Sequence, residues 1–166
     1  AGDHPFALWS LGEMYLQGWG VEKDTAMARH HFELAVAHDF AEAMHALGFL
    51  YMSGQGCEKD EEKGLALYRE AAERWHPASC LYLGICDLTG RNGVEIDAAK
   101  ARELYKRADV GGNADATCNL GVLYQSGRGG AVDLEEARRL FEKASAKGHA
   151  TAHHQLADMY QNGAGG

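Results

Sequence analysis

The sequence predicts an all-α fold, a right-handed superhelical solenoid of helix-turn-helix repeats, and three observations predict it. First, the dipeptide Leu-Gly recurs as Leu11-Gly12, Leu47-Gly48, Leu83-Gly84 and Leu120-Gly121, then as Leu156-Ala157, at leucine intervals of 36, 36, 37 and 36. Second, the same residue types return around each dipeptide. Tyr15, Tyr51, Tyr124 and Tyr160 lie four residues on, Asp24, Asp60, Asp97 and Asp133 further along, then Phe32, Tyr68, Tyr105 and Phe141, with Ala35, Ala71, Ala108 and Ala144 three later. Third, apolar residues recur at helical spacing and no segment alternates as a strand does. The interval of 37 has a visible cause, because Gly90-Arg91-Asn92-Gly93 carries one residue more than Gly54-Gln55-Gly56.

Each unit reads as two helices. The first helices are expected near 5–16, 41–52, 77–88, 114–125 and 150–161, where residues such as Ala43, Leu47, Leu50 and Tyr51 share one face. Glycines such as Gly54 and Gly56 then break the helix. Asp60 and its counterparts stand at N-cap positions, where a carboxylate accepts from the free amides of the next turn, and Glu61 and Glu62 suit the positive end of the helix dipole. The second helices are expected near 24–37, 60–75, 97–109 and 133–147, carrying residues such as Leu65, Tyr68, Ala71 and Ala72 inward. Gly12, Gly48, Gly84 and Gly121 allow a neighbouring backbone or ring to lie close, against a propensity cost of about 1 kcal/mol each. The fifth unit stops at Gly166 without a second helix, so Ala152, Leu156 and Tyr160 are expected to form an uncovered face, and there alone alanine, Ala157, replaces the glycine, as expected where one packing partner is missing. The expectation is one solenoid domain over 1–166, with four and a half repeats at about 5–40, 41–76, 77–113, 114–149 and 150–166.

Composition narrows the function classes. Of 166 residues, 46% are apolar and 24% charged, and only 2 are proline, so the chain is expected to fold. Sixteen Lys and Arg against 24 Asp and Glu give a net charge of -8, the wrong sign for gripping phosphate backbones, and nucleic acid is not expected as a partner. No stretch approaches the length of an apolar span and residues 1–5 lack a basic, apolar leader, so a soluble chain without membrane insertion is expected. Cys57, Cys80, Cys86 and Cys118 share no frame with the repeat, which disfavours a disulfide scaffold and leans towards a reducing compartment.

Residues 41–76 carry Ala41, Ala43, Leu47, Gly48, Tyr51, Gly54, Gly56, Asp60, Tyr68, Ala71 and Ala72 in a single register. This pattern resembles the Sel-one-like repeat family, with Cys57 in place of valine and Gly64 in place of alanine, and the resemblance extends over residues 5–166. Similarity to tetratricopeptide repeats is secondary, since those units are shorter and lack the longer Gly-x-Gly turn. The resemblance implies a non-enzymatic, cofactor-free scaffold that assembles other proteins. Some bacterial relatives carry a disulfide in each repeat, and Ala71, Ala72, Ala108 and Ala144 stand here where a cysteine would be needed.

Subtracting the core register from the first helices leaves the positions expected to line a concave groove. They are Phe6, Trp9, Ser10, Glu13 and Leu16; Glu42, His45, Ala46, Phe49 and Met52; Ala78, Leu81, Tyr82, Ile85 and Leu88; Asp115, Cys118, Asn119, Val122 and Gln125; and Thr151, His154, Gln155, Asp158 and Gln161. The middle of this set is apolar and aromatic, which suits a buried anchor on a partner. Every Lys and Arg falls in a loop or a second helix, so the groove is expected to be acidic. The partner expected is a protein or peptide with apolar anchors and a basic residue, selected by Glu42 and Asp115. The competing reading is that these positions pack against one another or against a second copy, making the chain a self-assembling structural module.

Two chemical alternatives follow from residue types. Cys118 and His154, with Asp115 and Asp158 near, permit a nucleophile pair, but adjacent helices lie about 8–10 Å apart and no oxyanion hole is supplied. His149 with His153, or His76 with Cys80, have metal-ligand spacing, yet no second pair arrives in register. His30, His31 and His38 read as solvated second-helix residues, Arg69 and Arg102 as part of the second-helix surface, and the turn Gly127-Arg128-Gly129-Gly130 lacks the strand and Lys-Ser/Thr of a phosphate loop.

Overall fold

The computed structural model describes residues 4–161 and 163. Among them lie nine α-helices and no strand: α1 (Pro5–Gln17), α2 (Thr25–Val36), α3 (Ala41–Ser53), α4 (Glu61–Glu73), α5 (Pro77–Thr89), α6 (Ala98–Val110), α7 (Ala114–Ser126), α8 (Leu134–Ala146) and α9 (Ala150–Gln161). Each expected helix is present, within about two residues at its ends. The last residues of the expected fifth repeat, 162 and 164–166, lie outside the described residues.

The turn from first to second helix is built the same way four times. Gly18, Gly54, Gly90 and Gly127 close the first helices in the left-handed region, φ +69 to +77°, which glycine enters without penalty. Six or seven residues after that glycine the N-cap aspartate ties the turn down from both sides. Its amide donates back to the first helix, to the carbonyl of Tyr15, Tyr51, Asp87 or Tyr124 at 2.7–2.9 Å. Its carboxylate accepts from the amides opening the second helix: Asp24 from Ala26 and Met27, Asp60 from Lys63, Asp97 from Lys100 and Asp133 from Glu136, at 2.9–3.0 Å. The extra residue of the third repeat is absorbed in a short 3-10 turn, Arg91–Gly93, with Asn92 at φ +57°.

Within each repeat the second-helix ring rests on the first-helix glycine, so the close approach expected at these glycines is with a ring. Phe32, Tyr68, Tyr105 and Phe141 lie on Gly12, Gly48, Gly84 and Gly121, and all four rings are buried. The chain divides into two compact units, Ala1–Ser79 and Cys80–Gly166. The first is centred on Phe32, Met44, Leu47, Leu50, Tyr51 and Ala71. The second packs Phe141, Ala137 and Ala144 of α8 against Cys118 of α7 and Ala152 and Met159 of α9.

The second unit corrects several expectations. Arg102, expected on the second-helix surface, is buried with its guanidinium 3.6 Å from the centre of the Tyr124 ring. Of the three residues expected to form an uncovered face on the last helix, Ala152 and Leu156 pack into the α8 core and Tyr160 is exposed. Asp109 joins three helices, accepting from Thr117 Oγ1 of α7 at 2.6 Å and from Lys143 Nζ of α8 at 2.8 Å. In the first unit, His31 is only partly exposed and stacks on Tyr15, 5.5 Å between centroids and 7° between planes.

Candidate functional site

Two helix faces build a cleft in the first unit. On α1, Trp9, Glu13, Leu16 and Gln17 fall at i, i+4, i+7 and i+8; on α3, Glu42, His45, Ala46 and Phe49 fall at i, i+3, i+4 and i+7. Both spacings place four side chains on one helical face. With His76, just before α5, they enclose a cleft of about 320 Å³. Trp9 is held in place by Phe6 and Phe40, with centroids 5.6 and 6.1 Å away.

The floor is a histidine pair. His45 lies against Tyr68 and His76, ring centroids 5.1 and 4.7 Å distant. Ser79, fully buried on α5, places its Oγ 2.9 Å from His45 Nδ1 and 3.1 Å from His76 Nδ1, and its amide donates to the latter at 3.2 Å. His76 therefore caps α5, its ring nitrogen doing what the aspartates do for the second helices. Burial, then the neighbouring His76, pushes His45 from 6.5 to about 4. Burial also holds His76 low, opposed by Glu42. Burial raises Glu13, opposed by a hydrogen bond from Gln17. Among the described residues α1 and α3 carry no Lys or Arg, so the charges of this cleft are the carboxylates of Glu13 and Glu42.

The structure thus brings together four of the expected binding residues: Trp9, Glu42, His45 and Phe49. Met52 stands apart, resting on Gly64 of α4. The other six belong to the second unit. Leu81, Tyr82, Ile85 and Leu88 on α5 are partly exposed, and Tyr82 Oη accepts from Asn92 Nδ2 at 2.8 Å. Val122 on α7 is exposed. Asp115 is exposed but occupied: His149 Nδ1 accepts from the Ala152 amide, which leaves the ring proton on Nε2, 3.1 Å from Asp115. Sequence reasoning missed the role of His76. The signal was its place immediately before a first helix, shared with Asn113 and His149, which cap α7 and α9.

The chemical alternatives do not assemble. Cys118 is buried, and burial together with Asp115 pushes its thiol up, away from the reactive thiolate. His154 is exposed beside Asp158 at 3.5 Å on its own helix. Among the described residues no group of three or more His, Cys, Asp or Glu is placed to hold a metal ion. The four cysteines are free thiols, and no described helix is long and apolar enough to cross a membrane.

Comparison with solved structures places this geometry. The crystal structure of a Sel1 repeat protein from Oxalobacter formigenes is 30% identical with a TM-score of 0.87, covering 98% of this chain and 64% of that one. The protective antigen c5321 of uropathogenic Escherichia coli, described as displaying an SLR fold, is 29% identical with a TM-score of 0.87, covering 96% of this chain and 34% of that one. The present chain therefore spans less than two-thirds of the length of either protein. Helicobacter pylori cysteine rich protein B, at 23% identity and a TM-score of 0.59, covers 77% of this chain and 96% of its own, and shares the fold. No curated protein matches the chain. The expected all-α solenoid repeat class is borne out by these neighbours and by the helices described above. A family model described as the Sel1 repeat matches residues 5–40, 41–74, 77–108, 114–149 and 150–166, and with nearly the whole chain matched, this protein belongs to the Sel1 repeat family.

Proposed function

We propose that the cleft between α1 and α3 holds a segment of a partner protein that presents an apolar anchor next to a basic residue. Sel1 repeat proteins are generally non-catalytic scaffolds for protein-protein interaction, and this reading assigns one surface and one kind of ligand to that role. The observation that carries it is the pairing of Trp9, Leu16 and Phe49 with Glu13 and Glu42 in a cleft whose two helices bear no cation. Apolar rings supply the desolvated anchor site, and the carboxylates supply orientation and electrostatic steering. In the second unit, Leu81, Tyr82, Ile85, Leu88 and Val122 are proposed as further apolar contacts for the same class of partner, with Asp115 as a rim charge.

The test is recovery of partners on the native chain and on variants of equal helicity. Phe49→Arg is expected to abolish capture, and Arg69→Glu on the exposed face of α4 to leave it intact. The opposite pattern would move the function to the second-helix surface. Light scattering over a concentration range addresses the self-assembling alternative, since a dimer that forms with concentration and is abolished by Phe49→Arg would give this cleft to a second copy.

A further inference from the structure

We propose that the basic residue received by this cleft is an arginine, its guanidinium between the carboxylates of Glu13 and Glu42 and its plane against the ring of Trp9. The proposal rests on the reading of the cleft as a partner site and names the side chain that the site selects.

Charge is the first argument. Among the described residues neither Glu13 nor Glu42 has an ion-pair partner, while four of the six Lys and Arg of the same unit, Arg29, Lys59, Lys63 and Arg74, are engaged by Glu33, Glu61, the Tyr51 hydroxyl and Asp39. Glu13 is half-buried, and burial opposes its ionised form. A cation delivered by a ligand restores the stabilisation that this carboxylate lost on leaving water. The histidines of the floor do not compete for that place, because burial disfavours their protonated forms.

Geometry separates arginine from lysine. The two carboxylates sit on different helices, so one ligand that pairs with both needs donors spread over a plane, and guanidinium has five in a fork. Guanidinium is also more weakly hydrated than ammonium and stacks on an indole, the best of the aromatic faces for a cation. Trp9 is already braced by Phe6 and Phe40, so stacking on it needs no prior ordering of the ring. A volume of about 320 Å³ is at the small end of ligand clefts, which suits one side chain and its flanking backbone.

The experiment titrates the isotope-labelled full chain with N-acetyl-arginine amide, N-acetyl-lysine amide and N-acetyl-citrulline amide, reading nuclear magnetic resonance shifts. The expected result is saturable shifts at the Trp9 indole and at the amides of Glu13, Glu42 and His45. Affinity for arginine should be about fivefold or more above lysine and about tenfold or more above the uncharged citrulline, with added salt weakening it. Glu13→Gln should cut arginine binding about fivefold while the remaining spectrum stays native. Equal binding of citrulline and arginine, equal binding of lysine, or shifts centred elsewhere overturns the proposal. These outcomes are separable from failure of the cleft as a partner site, which is read from partner capture by Phe49→Arg.

Discussion

The ring of Phe141 occupies the space in which a Cβ on Gly121 would stand, 2.7 Å from its Cε1 and 2.9 Å from its Cδ1. A helical glycine normally gains about 1 kcal/mol on replacement by alanine. Here the new methyl must displace a fully buried aromatic ring, so Gly121→Ala is expected to destabilise the fold by about 1–3 kcal/mol. Ala157→Gly, at the matching position of α9, is exposed and should lose only the propensity of about 1 kcal/mol. Urea unfolding of both variants checks the pair, and a stabilised Gly121→Ala would mean that the ring contact does not dictate the glycine.

His45 makes stability depend on pH. Its value falls from 6.5 to about 4 in the fold, so the unfolded chain takes up this proton at higher pH than the folded one. Stability is at its full level above about pH 6.5, declines as pH falls towards 4, and levels off below. The loss from this group alone is on the order of 3 kcal/mol. His76 and His31, also held low, act in the same direction, whereas Glu13, held high, contributes the opposite slope at its own titration. Unfolding free energies measured between pH 7.5 and 4 should fall more steeply for the native chain than for His45→Gln, and parallel curves would contradict the assignment.

The N-cap aspartates should be individually worth measuring. Asp133→Ala removes the acceptor of the Glu136 amide and is expected to cost about 1 kcal/mol, with Asp133→Asn retaining most of that stability. Thermal unfolding of the two variants distinguishes loss of the cap from loss of charge.

Gly148 isolates backbone strain from packing. It sits at φ +80° between α8 and α9 with open space where a Cβ would go, so Gly148→Ala should cost about 1–2 kcal/mol through conformation alone. Denaturant midpoints report it, and an unchanged midpoint would show that this turn relaxes freely.

Thiol reactivity should follow burial. Cys57 is partly exposed, whereas Cys80, Cys86 and Cys118 are buried with thiols pushed up by desolvation. Ellman's reagent is expected to modify Cys57 quickly in the native chain and the other three only on unfolding. Fast reaction of more than one thiol would mean that the core around α5 and α7 opens readily.

The repeat, the helix limits, the aspartate caps and the ring-bearing positions were legible in the residues because each is set by chemistry within about forty positions of chain and is written four times over. A glycine in register with an aromatic ring one helix later, or an aspartate nine residues after a tyrosine, announces its own contact. Half of the candidate site was legible for the same reason, since helical spacing alone puts Trp9 with Glu13 and Glu42 with Phe49. What no periodicity contains is the single-copy detail. His45 and His76 look like ordinary polar residues until folding sets their rings 4.7 Å apart around a buried Ser79, and Arg102 reads as solvated until Tyr124 covers its guanidinium. Long or amphipathic side chains such as these have both a wet and a dry arrangement open to them. The choice is made by neighbours some twenty to thirty residues away, which only the packed helices bring within reach.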